Sequence, residues 1–180
     1  MKKYYTGIGS RRGVPDDILQ LMTDTAKYLR KQGYDLRSGD AISSDQAFSI
    51  GATDSDGICH GDIYVPKLKK DCPHGILLTD LEQFKVIAEQ CCDHFKRIKK
   101  GYSRDCHLRN IPQCIGADVN NPIKSKFMLC WTPNGEKVGG SATTINCCEF
   151  YDIPYFNYGL YDQDMPLLKR KLKQFLEEHV

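Results

Sequence analysis

The chain has 180 residues, 41% hydrophobic and 27% charged, with a net charge of +2. That length supplies a core for one domain, and the composition excludes a disordered chain. The near-neutral charge excludes a strong field for nucleic acid or anionic lipid.

The elements read as follows in chain order. Tyr4 to Ile8 is a β-prone run that enters a glycine turn. Pro15-Asp16-Asp17 opens a helix, because proline suits a first turn and acids suit its positive end. Ile18, Leu21, Met22, Ala26 and Leu29 recur along it with helical spacing, and Gly33 ends it. Tyr34 to Arg37 is a second strand, Ser44 to Ile50 a short helix, and Asp62 to Val65 a third strand with Pro66 at its exit. Residues 67–79 have no periodicity and are expected to form an excursion. Asp80 can cap a helix running to about Ile98, and Cys106 to Ile115 is a further helical segment. Phe127 to Trp131 is a continuous apolar run of the kind found in buried parallel strands. A glycine-rich turn, a helix through Cys148, a strand Pro154 to Phe156 and a closing helix from Met165 to Glu178 complete the chain. Alternating β and α units predict a three-layer α/β/α sandwich, a single Rossmann-like domain over residues 1–180 with a mostly parallel sheet. The apolar stripe of the closing helix, Leu168, Leu172, Phe175 and Leu176, suits core packing or self-association into a homo-oligomer.

Three glycine-bearing turns follow hydrophobic strands: Gly7-Ile8-Gly9-Ser10-Arg11, Arg37-Ser38-Gly39-Asp40 and Gly139-Gly140-Ser141-Ala142-Thr143-Thr144. In an open parallel sheet such turns gather at the strand carboxyl ends, where ligands bind. Small residues there let main-chain N–H groups approach an anion, and a following helix start adds partial positive charge. The expected ligand carries phosphate.

No apolar run approaches the roughly 20 residues that span a bilayer, and the first residues carry no signal-peptide pattern. A cytoplasmic protein without a membrane partner is expected. The basic runs 96–100 and 169–173 read as solvated helix surface. Nine cysteines occur without a CxxC pair or zinc-finger spacing. Most of them read as small buried hydrophobes, and no metal site or cofactor is expected. His60, His74, His94 and His107 have no fixed sequence partner.

Tyr5-Thr6-Gly7-Ile8-Gly9-Ser10-Arg11 resembles the opening strand and turn of the SMF/DprA–LOG (SLOG) superfamily of Rossmann-like domains. Arg37-Ser38-Gly39-Asp40-Ala41 through Asp45-Gln46-Ala47-Phe48 is similar to its second motif. Asp62 to Pro66, Leu108-Arg109-Asn110 with Gly116, Phe127 to Trp131, Gly139 to Thr144, and Ile153 to Asn157 follow in the family's order. The resemblance covers residues 4–157 and is nearest to short stand-alone forms of the phage or bacterial type. It implies a nucleotide-type ligand, with three functional types in view: a sensor or sequestering protein for nucleoside phosphates or ADP-ribose-like molecules, a LOG-like N-glycosidic phosphoribohydrolase, and a DprA-like single-stranded DNA-binding recombination mediator. The chain departs from the LOG pattern at Val138, Ala142 and Asn146. Asparagine cannot take up a proton where that pattern has glutamate. Asp45, Asp40 and Glu149 are then the candidate catalytic carboxylates.

The resulting expectation places phosphate on Gly7, Gly9, Ser10 and Arg11 and on Gly139, Gly140, Ser141, Thr143 and Thr144. Ser38 and Gly39 line the crevice beside them. Ribose faces Asp40 and Asp45, Arg37 and Arg109 neutralise charge, and Asn110 orients a base or phosphate from the opposite rim. Nucleic acid is the less favoured partner, because near-neutral charge does not supply a basic groove.

Overall fold

The computed structural model describes residues 2–68, 70 and 72–180; Met1 and, within the expected excursion, Lys69 and Asp71 lie outside the described residues. The first strand, β1 (Lys3–Gly9), leads to α1 (Asp16–Lys31), β2 (Tyr34–Ser38), α2 (Ser44–Ala52) and β3 (Gly61–Val65). Then come β4 (Gly75–Leu77), α3 (Lys85–Cys91), α4 (Tyr102–Ile115), β5 (Met128–Trp131), α5 (Gly139–Phe150), β6 (Tyr155–Asn157) and α6 (Met165–His179). Among the described residues the strands form one sheet in the order β4-β3-β2-β1-β5-β6, and every neighbouring pair is parallel.

Helices cover both sheet faces, and side-chain alternation along the strands builds two cores. On one side Tyr5, Leu36, Leu129 and Trp131 pack with residues of α1, α2 and α6. On the other, Ile8, Met128 and Cys130 pack with residues of α3, α4 and α5. This is the expected α/β/α arrangement, with a sheet parallel throughout. Phe48 of α2 is fully buried, edge-on to Tyr5 at 6.4 Å between ring centroids; truncation to alanine would cost about 3–5 kcal/mol.

The first helix forms where its pattern predicts. Asp16 and Asp17 occupy its first turn and Arg30 and Lys31 its last, each matching the helix dipole. Ile18, Met22, Ala26 and Leu29 are fully buried, and Gly33 leaves the helix at φ +78°. The stripe of α6 is likewise absorbed: Leu168 and Leu172 are buried in the first core, and Phe175 and Leu176 pack against it.

Three stretches differ from expectation. The helix predicted from Asp80 to Ile98 is broken into a 3-10 turn at Glu82–Phe84, then α3, then a second 3-10 turn at Phe95–Arg97. Cys92 adopts extended backbone at φ −141°, ψ 101°. Cys91, Cys92, Asp93 and His94 are all weak helix formers. The apolar stripe survives the break, since Phe84, Ile87, Ala88, Cys91, Cys92 and Phe95 all reach the second core. The excursion at 67–79 contains β4, a three-residue edge strand paired with β3, too short to show a period. The segment expected from Cys106 starts earlier, at Tyr102.

Among the described residues no helix is long and apolar enough to cross a membrane.

Candidate functional site

The chain builds outward from β1 to β4, then returns to add β5 and β6 on the other side of β1. The reversal lies between β1 and β5, the position where open α/β sheets bind ligands. A cleft of about 630 Å³ opens there, lined by the turn after β1, the start of α5 and one side of α4. Gly9, Ser10 and Arg11 form one wall, Gly139, Gly140, Ser141 and Thr144 the opposite one, and Arg109 and Asn110 lie between them. A smaller recess of about 110 Å³ joins Gly39 and Asp40 to Arg11, Tyr102 and Arg109.

Asp45, at the start of α2, is 2% exposed and ties two of the turns together. Its Oδ1 accepts from Gly9 N at 3.0 Å, and its Oδ2 accepts from Gly39 N and Ala41 N, both at 3.2 Å. Burial raises its pKa from 3.8 to about 6, although the Arg109 charge and these three N–H groups pull the other way. Asp45 is thus a clamp on the main chain. It does not cap its own helix, because its oxygens reach backward to other turns.

This clamp changes the meaning of the first two turns. Gly9 N is held by Asp45, and Ser10 N donates to Trp131 O at 2.9 Å. Neither amide is free to cradle phosphate. A Cβ on Gly9 would lie 2.5 Å from Ser44 Oγ and 2.8 Å from Trp131 O, so glycine is required there by packing. Gly7 is buried within β1 against Phe48 and Leu36. Ser38 turns its hydroxyl to Gly7 O at 2.6 Å.

Arg37, expected to neutralise ligand charge, does not reach the cleft. Its guanidinium donates to Ile123 O, lies 3.7 Å from the Tyr4 ring centre, and has its Nε 3.7 Å from Asp62 Oδ2. Leu36 enters the first core, so Arg37 lies on the same sheet face as α4, but its guanidinium sits against Gly116 at the C-terminal end of that helix, away from the cleft. Glu149 is also outside, exposed and held by Lys137 Nζ at 2.5 Å and Tyr155 OH at 3.0 Å. Asn146 donates to Cys91 O at 2.9 Å.

The third turn has a different character. Gly139 sits at φ +58° with open space around it, and Gly140 and Ser141 begin α5. Among the described residues, the amides of Gly139, Gly140 and Ser141 make no hydrogen bond, as first-turn N–H groups lack intrahelical partners. Asn110 Nδ2 donates to Gly140 O at 2.9 Å, fixing this turn to α4. Thr144 lines the cleft, while Thr143 is buried and paired through its hydroxyl with His107 Nδ1 at 2.8 Å.

Arg109 is the cation between the walls. It is 5% exposed, and its buried Nε has no hydrogen-bond partner among the described residues. The rest of its guanidinium packs on Gly39, and the Gln113 amide oxygen accepts from it when that amide is turned to suit. Arg12 and Tyr102 also line the cleft; both are exposed, Tyr102 at 51%. Sequence reasoning missed these two, since an arginine next to Arg11 and a tyrosine opening a helix carry no local signal. It also missed a proximity on the far side of His107: Cys92, His94 and His107 bring one ligand atom each to within 4.8 Å of one another. Cys92 and His94 share one segment but His107 comes from α4, so no spacing reveals the three together.

No protein-family model matches the sequence, and no curated protein matches it. Among solved structures the chain is similar to DNA processing protein A from Helicobacter pylori, at 16% identity and a TM-score of 0.53. The fold is DprA-like. The match covers 87% of this chain and 64% of that one, so this chain spans less than two thirds of its neighbour's length.

Proposed function

We propose that the cleft binds the phosphate of a nucleotide or nucleotide-sugar, and that the chain acts as a sensor, carrier or sequestering protein for it. The observation that carries this is the convergence on one cleft of α5 amides that are unbonded among the described residues and of the Arg109 side chain. Donors of both kinds bind phosphate oxygens well, and the helix start adds partial positive charge. A volume of about 630 Å³ suits a molecule of nucleotide size. Phosphate would sit on Gly139 to Ser141 and Arg109, with Arg11 and Arg12 at the entrance and a base against Tyr102.

A DprA-like role is the second reading, favoured because the neighbour of similar fold is described as binding single-stranded DNA. Phosphodiester groups would use the same donors, and exposed Tyr102 offers a stacking face. Hydrolysis of an N-glycosidic bond draws less support. Both oxygens of Asp45 are engaged by main-chain N–H groups, Glu149 lies outside the cleft, and Asp40 lines only the adjoining recess.

Thermal denaturation with nucleoside mono- and diphosphates, ADP-ribose and a thymidine oligonucleotide tests and separates these readings. At a hundredfold excess over its dissociation constant, a binding nucleotide stabilises the fold by about 2.7 kcal/mol. Preference for the oligonucleotide, with affinity falling steeply as salt rises, selects the DNA reading. A melting temperature unmoved by every compound overturns both.

A further inference from the structure

We propose that Cys92, His94 and His107 form a binding site for a zinc-class divalent ion. The proposal is independent of what the cleft binds. Cys92 and His94 lie in the three-residue step between α3 and the following 3-10 turn, and His107 lies in α4. Their ligand atoms all fall within 4.8 Å of one another. The Cys92 sulfur is 3.6 Å from His94 Nδ1 and 3.7 Å from Nε2. Zinc bonds of about 2.3 Å to sulfur and 2.0–2.1 Å to nitrogen, at a tetrahedral angle, put S and N about 3.6 Å apart. The spacing therefore already matches one edge of a zinc tetrahedron.

The second histidine is oriented as metal ligands usually are. His107 Nδ1 is engaged by Thr143 Oγ1 at 2.8 Å, which holds the ring and leaves Nε2 for a metal. The two imidazoles stand edge to face with centroids 5.7 Å apart. Cys92 and His107 are buried and His94 is exposed. Two ligands are thus set by packing, while the third can swing to close on an ion. One thiolate and two imidazoles suit zinc better than magnesium or calcium, which prefer oxygen. Three protein ligands leave a fourth position for water or another ligand. Bound metal would also pin a broken, weakly helical segment to α4, supplying order that the sequence Cys91-Cys92-Asp93-His94 does not supply by propensity.

The test uses the whole chain. Zinc is measured by elemental analysis in protein purified without chelator. Chelator-stripped protein is then titrated with Co²⁺ alone and followed by visible absorption. One equivalent of Co²⁺ with a tetrahedral spectrum and a sulfur-to-cobalt charge-transfer band is expected. Cys92→Ser abolishes that band, and His94→Ala lowers affinity at least tenfold; His94 is exposed, so its variant folds even if Cys92→Ser does not. Thr143→Val lowers affinity by about ten- to a hundredfold, the usual cost of losing an outer-shell partner. Cys59→Ser, on a distant segment, retains the full spectrum. The proposal is overturned if no tetrahedral Co²⁺ complex forms, or if His94→Ala binds Co²⁺ as tightly as the parent protein.

Discussion

The turns after β1 and β5 flank the same switch point and look alike in sequence, yet their main chains are used in opposite ways. After β1, the amides of Gly9 and Ser10 are consumed by Asp45 and by the Trp131 carbonyl. At the start of α5, the amides of Gly139, Gly140 and Ser141 remain unbonded among the described residues, beside Arg109. A glycine in such a turn can thus serve close packing or serve a ligand, and the occupant of its N–H decides which. The first turn is a braced wall of the cleft; the second is the surface able to meet an anion.

Four measurements sharpen or break that contrast. The largest effect belongs to the brace. An acid raised from 3.8 to about 6 in the folded state contributes stability that is fully present below its unfolded value and lost as pH rises through its folded one. Unfolding free energy from denaturant melts should therefore fall by about 2 kcal/mol between pH 4 and pH 7 through Asp45. Asp45→Asn should remove that component of the slope. An unchanged pH dependence in the variant would show that Asp45 is not the group concerned.

Next, Gly9→Ala should cost about 1–3 kcal/mol, because the new methyl collides with Ser44 and Trp131 O. A melting temperature equal to the parent's would mean the brace is looser than its distances imply. Arg109→Met should weaken binding of a stabilising nucleotide, or of sulfate, by about ten- to a hundredfold, as expected for lost hydrogen bonds from a charged donor. It should also move the Asp45 transition further up, since the Arg109 charge is what lowers it. Isothermal titration and the pH series read the two effects separately.

The smallest change in stability is expected at Gly140→Ala, where the nearest atom to the new methyl is Asn110 Nδ2 at 3.7 Å. Stability should stay level or rise by up to about 1 kcal/mol, since alanine is the better helix former. Anion affinity should nevertheless fall by about tenfold, because the methyl covers the amides of the first turn. Loss of stability with unchanged affinity would reverse the roles assigned to the two turns.

Several residues show how far the chain could be read before its structure was known. The hydrophobic run Phe127 to Trp131 and the spaced stripe Ile18, Met22, Ala26 and Leu29 announced β5 and α1, because burial is periodic along one segment. Arg37 could not be placed in that way. Its motif pointed to the ligand, while tertiary contacts hold its side chain at Ile123 O and Asp62, beside Gly116 at the C-terminal end of α4. Asp45 was equally ambiguous as cap, ribose ligand or base, and its actual partners come from three separate positions. The break after Cys91 escaped notice because short helical pieces bury the same stripe as one continuous helix.

Sequence alone determined the alternation of strands and helices, the α/β/α layering and the clustering of glycine turns at strand ends, because these follow from local periodicity and short-range backbone preference. Tertiary structure decided which turn keeps its amides, which arginine faces the cleft, and that Cys92, His94 and His107 meet. Hydrogen-bond partners and ligand geometry depend on groups far apart in the chain, and no local pattern encodes who arrives first at a given N–H.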